Sequence, residues 1–191
     1  MSTVPNTNSN ENAVEKVLDM PKYSVVEKNE MFEERHYPVS KWASCKIMGI
    51  VLKDALMTGF SKLFEYIEGQ NQPGQKVEMT APVATKIVPG AGPNCKSTFT
   101  VSFFIPPENA DNPPKPTDPD VFIETWPAQT IYAKRFDGFS NDEEWVSKGE
   151  ELAQQLGNKP LNRTFWFTAA YDGPYKTFDR RNEVWYLKED K

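Results

Sequence analysis

The stretch STFTVSFFIPPENADNPPKPTDP, residues 97–119, joins the clearest strand pattern of the chain to its clearest interruption. From Thr98 to Ile105 polar and apolar residues alternate, which is the two-residue period of a β-strand with one buried face. Residues 106–119 contain six prolines among Asp and Asn residues. Because proline lacks a backbone donor, this composition argues against a helix or a central strand. We therefore expect a strand that leads into a long surface crossover.

The crossover divides the folded chain into two halves with similar patterns. Each half has strand-like residues broken by a proline, Pro38 or Pro127, and then one amphipathic helix and two further strands. We expect an α+β fold in which a bent antiparallel sheet or open barrel of about eight strands carries both helices on its outside. The halves align by eye, as in an internal duplication, at Glu34 with Glu124, Trp42 with Tyr132, and Ala43 with Ala133.

Helical spacing of apolar residues predicts one helix in each half. The first covers residues 54–67 and ends before Gly69, and the second opens with Ser140 and Glu143 as a capping box and ends at Gly157. The core-facing residues of the first helix are predicted to be Leu56, Leu63 and Ile67. Those of the second helix are predicted to be Trp145, Gly149, Leu152 and Leu156.

Strand patterns follow each helix. Residues 77–83 alternate between apolar and polar positions, and Pro82 within them indicates an edge or a bulge. Residues 165–171 and 183–187 are rich in aromatic and β-branched side chains, which favour strands.

The domain boundaries follow from composition. The length of 191 residues suits a single domain. Residues 1–20, rich in Asn, Ser, Thr and Glu, predict a disordered N-terminal tail because such a segment cannot offset its ordering entropy. The folded domain is then 21–191, with halves at 21–105 and 121–188 on either side of the crossover.

Charge and cysteine usage restrict the function classes. Against 22 Lys and Arg stand 27 Asp and Glu, a net charge of −5, which argues against binding to nucleic acid or an anionic membrane. No apolar run reaches the roughly 18 residues of a membrane span, and the N-terminus lacks the pattern of a signal peptide. Cys45 and Cys95 have no metal-site spacing, and two isolated cysteines suit a reducing compartment. We expect a cytoplasmic protein.

The single histidine, His36, limits the chemistry available to the chain. It excludes every two-histidine metal site, and no nucleophile, P-loop or dinucleotide-binding motif accompanies it. We therefore expect no enzyme. His36 stands in FEERHYP at a predicted strand end, where a neutral imidazole can ligate haem iron from the rim of a site. The alternative is a solvated histidine in a turn.

Two further sets of residues have both a structural and a binding interpretation. Met57, Phe60 and Phe64 lie at the edge of the first helical stripe, and they either complete the core or line a groove. Arg180 and its neighbour Arg181 either hold carboxylates of a ligand or pair internally with Glu183 or Asp179.

Six short motifs in register resemble the SOUL/haem-binding protein family. The resemblance extends from about Tyr23 to Leu187 and is closest to the SOUL branch, that of haem-binding protein two. It implies two pseudo-symmetric βαββ halves that form a distorted antiparallel β-barrel with two helices, akin to GyrI-like ligand-binding domains. The motifs are MTAPV (79–83), IPP (105–107), VFIE (121–124), FDGFS (136–140), AYDGP (170–174) and RRNEVW (180–185).

The resemblance also implies non-covalent binding of haem or another tetrapyrrole, without catalysis, for buffering or transport. His36 matches the position of an iron ligand in the SOUL branch, and Lys176 matches a basic residue near the porphyrin propionates, with Arg180 beside it. Met57 and Glu65 stand where the other branch has an Arg and a Lys, which weakens the expected attraction for propionates.

An alternative function also follows from the resemblance. SOUL-branch proteins are associated with mitochondrial permeability and cell death through a helix that docks into apoptosis regulators. The matching stretch is ELAQQLGNK, residues 151–159, in which Leu152 and Leu156 have the spacing of groove anchors. The same leucines are predicted core residues, so docking would require this helix to leave the fold.

Overall fold

The computed structural model describes residues 16–92 and 94–189. Within these residues the chain forms nine strands and three helices. The strands are β1 (Ser24–Lys28), β2 (Glu33–Tyr37), β3 (Ser40–Gly49), β4 (Val83–Val88), β5 (Ser97–Phe104), β6 (Val121–Trp126), β7 (Gln129–Phe136), β8 (Trp166–Ala170) and β9 (Asn182–Leu187). The helices are α1 (Leu52–Ile67), α2 (Pro107–Ala110) and α3 (Asp142–Leu156). Among them, none has the length and apolar character needed to cross a bilayer.

All nine strands form one antiparallel sheet in the order β1-β2-β7-β9-β8-β4-β5-β3-β6. Without β1 the order is symmetrical about the central β8–β4 pair, so the predicted α+β class and the two pseudo-symmetric halves are confirmed. Apart from β1, each half has four strands, one more than the expected βαββ unit. The additional strand is β2 in the first half and β6 in the second, and the halves exchange these strands. Strand β2 pairs with β7 of the second half, and β6 pairs with β3 of the first.

Aromatic side chains fill the face of the sheet that lies opposite α1 and α3, here called the concave face. Trp126 of β6 stacks on Trp42 with ring centroids 4.1 Å apart, and it lies 5.4 Å from Phe167 of β8. Trp185 and Tyr37 continue the cluster. Four strand-to-strand steps separate β6 from β8 in the sheet. The sheet must therefore curl strongly for these rings to meet, and the expected barrel is an open, curled sheet.

The helices α1 and α3 cover the other face. Leu63 and Ile67 of α1 are buried as predicted, and Leu56 is half-buried. Gly59 allows α1 to approach β5 closely, since a Cβ at this position would lie 2.6 Å from a methyl carbon of Val101. The predicted core residues of α3 are confirmed as Trp145, Gly149, Leu152 and Leu156.

The strand predicted over residues 77–83 is wrong. Strand β4 begins at Val83, directly after Pro82, because a proline cannot donate a ladder hydrogen bond. The segment before it pairs instead with the chain start, where the Ala81 amide donates to the Asp19 carbonyl oxygen at 2.9 Å. Of the tail predicted to be disordered, residues 1–15 lie outside the described residues, whereas residues 16–20 include this contact.

Two predictions about helices also need correction. Residues Pro107–Ala110 form the single turn α2 inside the crossover, since proline is tolerated in the first turn of a helix, where its missing donor has no partner to lose. The N-cap of α3 is Asn141 rather than Ser140. The Asn141 side chain accepts a hydrogen bond from the Glu144 amide at 2.9 Å, an arrangement that asparagine supports as well as serine.

The alignment of the two halves by eye is out of phase. Trp42 belongs to the aromatic cluster on the concave face, whereas Tyr132 packs with core residues beneath α3. Similarly, Ala43 faces α1 and Ala133 faces the concave side. A shift of one residue along a strand moves every side chain to the opposite face. The alignment therefore matched residues that have no structural equivalence.

The carboxylate of Glu183, which is fully buried, is the most heavily bonded polar group of the sheet. Arg35 of the exchanged strand β2 donates to both of its oxygens, at 2.8 and 3.0 Å. Arg181 donates at 2.9 Å, and Tyr171 and Trp185 donate at 2.9 and 2.8 Å. Burial alone would raise the pKa of Glu183, but the hydrogen bonds and charges of these arginines outweigh it and hold that pKa below its ordinary value.

Removing one side of this buried pair should destabilise the protein strongly. In Arg35→Met, Glu183 loses its bidentate partner while it stays buried, and such losses cost about 3–5 kcal/mol of unfolding free energy. Urea denaturation followed by circular dichroism measures the loss. Arg135→Met is the matched control, because Arg135 is exposed and lies 3.8 Å from an exposed Asp137, so about 1 kcal/mol or less is expected there. Similar losses in the two variants would contradict this role of the pair.

The N-terminus of α1 receives its cap from α3. The N-cap residue of α1, Val51, has no side-chain acceptor. Asp142 at the start of α3 supplies one, since its two carboxylate oxygens accept from the amides of Leu52 at 2.9 Å and Lys53 at 3.1 Å. A carboxylate at a helix N-terminus satisfies free amides and interacts favourably with the helix dipole. The two helices, which belong to different halves, are thereby joined at their starts.

Asp142→Ala should destabilise the protein by about 0.5–2 kcal/mol, because two helical amides lose their acceptor. Glu143→Ala is the control: it removes a neighbouring exposed carboxylate in the same first turn of α3 that makes no hydrogen bond to α1. Thermal unfolding of both variants measures the difference. The cap would have no importance if Asp142→Ala lowered the Tm no more than Glu143→Ala.

Candidate binding site

A cavity of about 530 Å³ opens between the starts of α1 and α3. Its apolar walls are Leu52, Leu56 and Trp145, and its polar rim includes Lys53 and the capping carboxylate Asp142. Asp142 holds the two helix starts together at this cavity, and Ser140 and Asn141 of the loop before α3 complete its lining. Its volume is within the range of small-molecule sites, which is roughly 300–1,000 Å³.

A row of large apolar side chains continues from this cavity along α1. Phe60 and Phe64 follow Leu56 at intervals of four residues, so the three share one helix face. Met57, Phe60 and Phe64 are 62%, 37% and 43% exposed. The rings of Phe60 and Phe64 are nearly parallel, with planes 12° apart and centroids 5.9 Å apart. The cavity and this row together form what we call the helix-side groove, which offers a flat, apolar surface.

The loop between β8 and β9 begins near this row. The Phe60 ring contacts Phe103 of β5, which pairs with Val83 of β4, and Val83 pairs with Ala170 at the end of β8. Two strand spacings, about 10 Å, therefore separate Phe103 from the point where the loop starts. The loop contains Lys176 and Arg180, so it brings both predicted propionate partners to the end of the sheet where Phe60 lies.

Both basic residues of this loop have internal partners. The Lys176 ammonium pairs with the Asp172 carboxylate at 2.9 Å. Arg180 is buried, and its guanidinium donates to the carbonyl oxygens of Gly173, Lys176 and Asp172 and stacks on the Phe139 ring at 4.1 Å. Arg180 thus organises the loop. Arg181 pairs with Glu183 at 2.8 Å, which is the internal pairing that the sequence offered as an alternative.

His36 lies on a different part of the surface. It is exposed on β2, and its Nδ1 lies 3.1 Å from the Thr130 hydroxyl of β7. This contact orients the ring and leaves Nε2 towards solvent, without a hydrogen bond among the described residues. Five strand steps separate β2 from β5 in the sheet order, so the strand of His36 is not a neighbour of the strand beneath the groove. His36 is not among the residues that line the cavity between α1 and α3.

The structure provides a test of how well these residues suit a flat macrocycle with acidic substituents. The helix-side groove fits the apolar body, because two parallel rings and a thioether side chain are exposed side by side. Lys53 on the rim could pair with an acidic group of the ligand, because it has no ion pair within the described part of the chain. Lys176 would first have to break its ion pair with Asp172. In residues 16–92 and 94–189, no cluster of three or more His, Cys, Asp or Glu could hold a metal ion.

The proposed docking helix is closed to partners in this fold. Leu152 is fully buried and Leu156 is 3% exposed, and both pack in the core beneath α3. They become available to a partner protein only if α3 leaves the sheet.

Sequence reasoning missed Lys53 and Trp145 as groove residues. Trp145 was assigned to the core by its helical spacing, and it is buried, but its edge also lines the cavity. Lys53 precedes the predicted start of the first helix, so the sequence contained no signal that placed it beside the second helix.

Comparison with known proteins identifies relatives across nearly the whole chain. Residues 18–187 match the family described as SOUL heme-binding protein. Heme-binding protein 2 of Mus musculus is 35% identical over 191 residues, which cover 95% of this chain and 91% of that protein. Heme-binding protein 2 of Homo sapiens is 38% identical over 164 residues, with 84% and 79% covered.

A solved structure shares the fold at much lower sequence identity. The C-terminal domain of EcmrR superposes with a TM-score of 0.60 at 11% identity, covering 88% of this chain and 99% of that one. At this identity the likeness shows the fold alone, and it confirms the expected GyrI-like architecture.

Proposed function

The chain belongs to the SOUL heme-binding protein family, and from this membership and the helix-side groove we propose that it binds haem or another tetrapyrrole non-covalently. The observation that carries the proposal is the exposed row of Met57, Phe60 and Phe64 leading out of a cavity of about 530 Å³. Large exposed apolar side chains in a continuous patch mark binding surfaces more often than isolated ones do.

The groove residues would hold the macrocycle by contact with its apolar faces. Burying a large apolar side chain contributes about 1.5–3 kcal/mol, so the three side chains together contribute at most about 4.5–9 kcal/mol, from which the cost of association must be subtracted. Lys53 is the rim residue placed to meet a propionate, and the nearby carboxylates Asp142 and Glu143 oppose a second one. This balance of charges favours moderate affinity and ready release.

Moderate affinity suits a cytoplasmic buffer or carrier of tetrapyrroles, and we extend the proposal to that role without catalysis. The groove has neither a histidine nor a cysteine among its lining residues, and its carboxylate Asp142 is occupied as a helix cap. Its other carboxylate, Glu143, is exposed at the rim, so the groove offers mainly apolar contact, which suits transport better than turnover.

Removing apolar surface from the groove should weaken tetrapyrrole binding. We expect Met57→Ser/Phe64→Ser to raise the Kd for hemin at least tenfold, because both side chains are exposed in the free protein and buried in the complex. Absorbance titration in the Soret region gives the Kd. Val39→Ser/Met48→Ser removes comparable exposed apolar surface elsewhere and should change it less than twofold. Equal effects of the two double variants would place the ligand outside the groove.

His36 provides a second test, since it would ligate iron only at a separate, exposed site. If the groove carries binding, His36→Ala leaves the Kd for hemin within twofold, and iron-free protoporphyrin IX binds the unaltered protein within about threefold of hemin. Fluorescence quenching measures both affinities. Binding of hemin that is much tighter than that of protoporphyrin and is lost in His36→Ala would show that iron ligation, and not the groove, carries the affinity.

A further inference from the structure

The concave face contains a second cavity, of about 450 Å³, which the curled sheet itself separates from the helix-side groove. Aromatic side chains form one side of it: Phe122 and Trp126 of β6, Phe165 just before β8, and Phe167 within β8. Residues of β3, β4 and β5 form the other side. We call this space the concave cavity. Its size suits a ligand of two or three rings.

Two lysines and a threonine lie side by side on the floor of the concave cavity. Thr100 of β5 pairs with Lys46 of β3 on one side and with Lys86 of β4 on the other. Paired residues point to the same face, with Cβ atoms about 5 Å apart. The two lysine side chains therefore flank the Thr100 side chain, and all three line the cavity.

Neither lysine has a carboxylate partner among the residues that the structure describes. The Lys86 ammonium lies 3.9 Å from the centroid of the Phe165 ring, and Lys46 is exposed. In a chain with a net charge of −5, two neighbouring unpaired cations form an unusual local concentration of positive charge. The two lysines lie two strand spacings, about 10 Å, apart, so one bound anion can interact with both ammonium groups.

Glu124 also lines the cavity. Glu124 pairs with Trp42, four residues before Lys46 on β3, which corresponds to about 13 Å along the strand. It accepts a hydrogen bond from the Ser44 hydroxyl, which in turn lies 2.8 Å from the Ser102 hydroxyl. The hydrogen bond places the carboxylate beside Ser44, two residues or about 7 Å from Lys46 along the strand, so two ammonium groups and one carboxylate line the cavity and its net charge is positive.

We propose that the concave cavity binds a small aromatic anion, an aryl carboxylate or aryl sulfonate. Its charged group lies between the ammonium groups of Lys46 and Lys86, where Thr100 can donate a hydrogen bond, and its rings lie against Phe165 and Phe122. Charge-assisted hydrogen bonds fix the orientation of the anion, and the aromatic wall supplies apolar contact. This site shares no residue with the helix-side groove, so it does not depend on tetrapyrrole binding.

A matched pair of fluorescent probes tests the proposal on the full chain. The probe 8-anilinonaphthalene-1-sulfonate carries one negative charge, and N-phenyl-1-naphthylamine is the same ring system without the sulfonate. We expect the sulfonate to bind saturably at one site and at least tenfold more tightly than the neutral probe. Its Kd should rise with NaCl concentration, whereas that of the neutral probe should not, because salt screens only the charged contact.

Substitutions at the lysines test whether the sulfonate binds in the concave cavity. Lys46→Gln/Lys86→Gln should raise the Kd of the sulfonate at least tenfold and leave that of the neutral probe within twofold. Lys115→Gln removes an exposed charge from the crossover and should change neither. Met57→Ser/Phe64→Ser, which alters the helix-side groove, should also leave the sulfonate Kd unchanged. The proposal for the concave cavity can therefore fail while the tetrapyrrole proposal holds, and the reverse.

Three results would overturn the proposal. The first is a sulfonate Kd that the lysine double variant leaves within twofold. The second is a sulfonate Kd that rises in the groove variant, which would place the probe on α1. The third is displacement of the sulfonate by tetraphenylphosphonium, an aromatic cation, in a manner lost in Glu124→Gln, which would show that Glu124 and not the lysines governs the cavity.

Discussion

The fold depends on the buried carboxylate of Glu183 and the arginine that reaches it from the exchanged strand. Arg35 belongs to the first half of the chain and Glu183 to the second, and their bidentate contact fixes β2 against the sheet of the other half. A buried ion pair with one partner removed is costly, so the strand exchange is strongly specified once the pair forms. Asp142 joins the two helices at their starts. The halves therefore behave as one domain although each has its own helix.

The exchange gives the sheet two faces with different chemistry. On one face the helices bury most of the apolar side chains, and the row of Met57, Phe60 and Phe64 is among those that remain exposed. On the other face the curl brings distant aromatic rings together and leaves a cavity with Lys46 and Lys86 on its floor. A flat apolar ligand suits the first surface, and a smaller anion suits the second. One scaffold can hold both because the sheet lies between them.

Periodicity predicted the parts of this structure that depend on neighbours in sequence. The inward residues of both helices, such as Leu63 and Leu152, follow from helical spacing, and most strands follow from alternation. Strand pairing did not follow, because alternation shows which side chains share a face but not which strand lies beside them. For that reason Glu183 was predicted only as a possible partner of the neighbouring arginines, and neither its contact with Arg35 nor the row of Lys46, Thr100 and Lys86 could be predicted. Only the sheet order showed that the strand of His36 is not a neighbour of the strand beneath the groove.

The location of the ligand decides the central claim that this chain is a tetrapyrrole receptor with its site on α1. Ferric haem is paramagnetic and broadens amide signals close to the iron, and zinc protoporphyrin is a diamagnetic control. In ¹H–¹⁵N spectra of the complex, we expect broadening that is centred on residues 53–64 and absent from the zinc complex. Broadening centred on β2 around His36, or on the concave face around Thr100, would contradict the account.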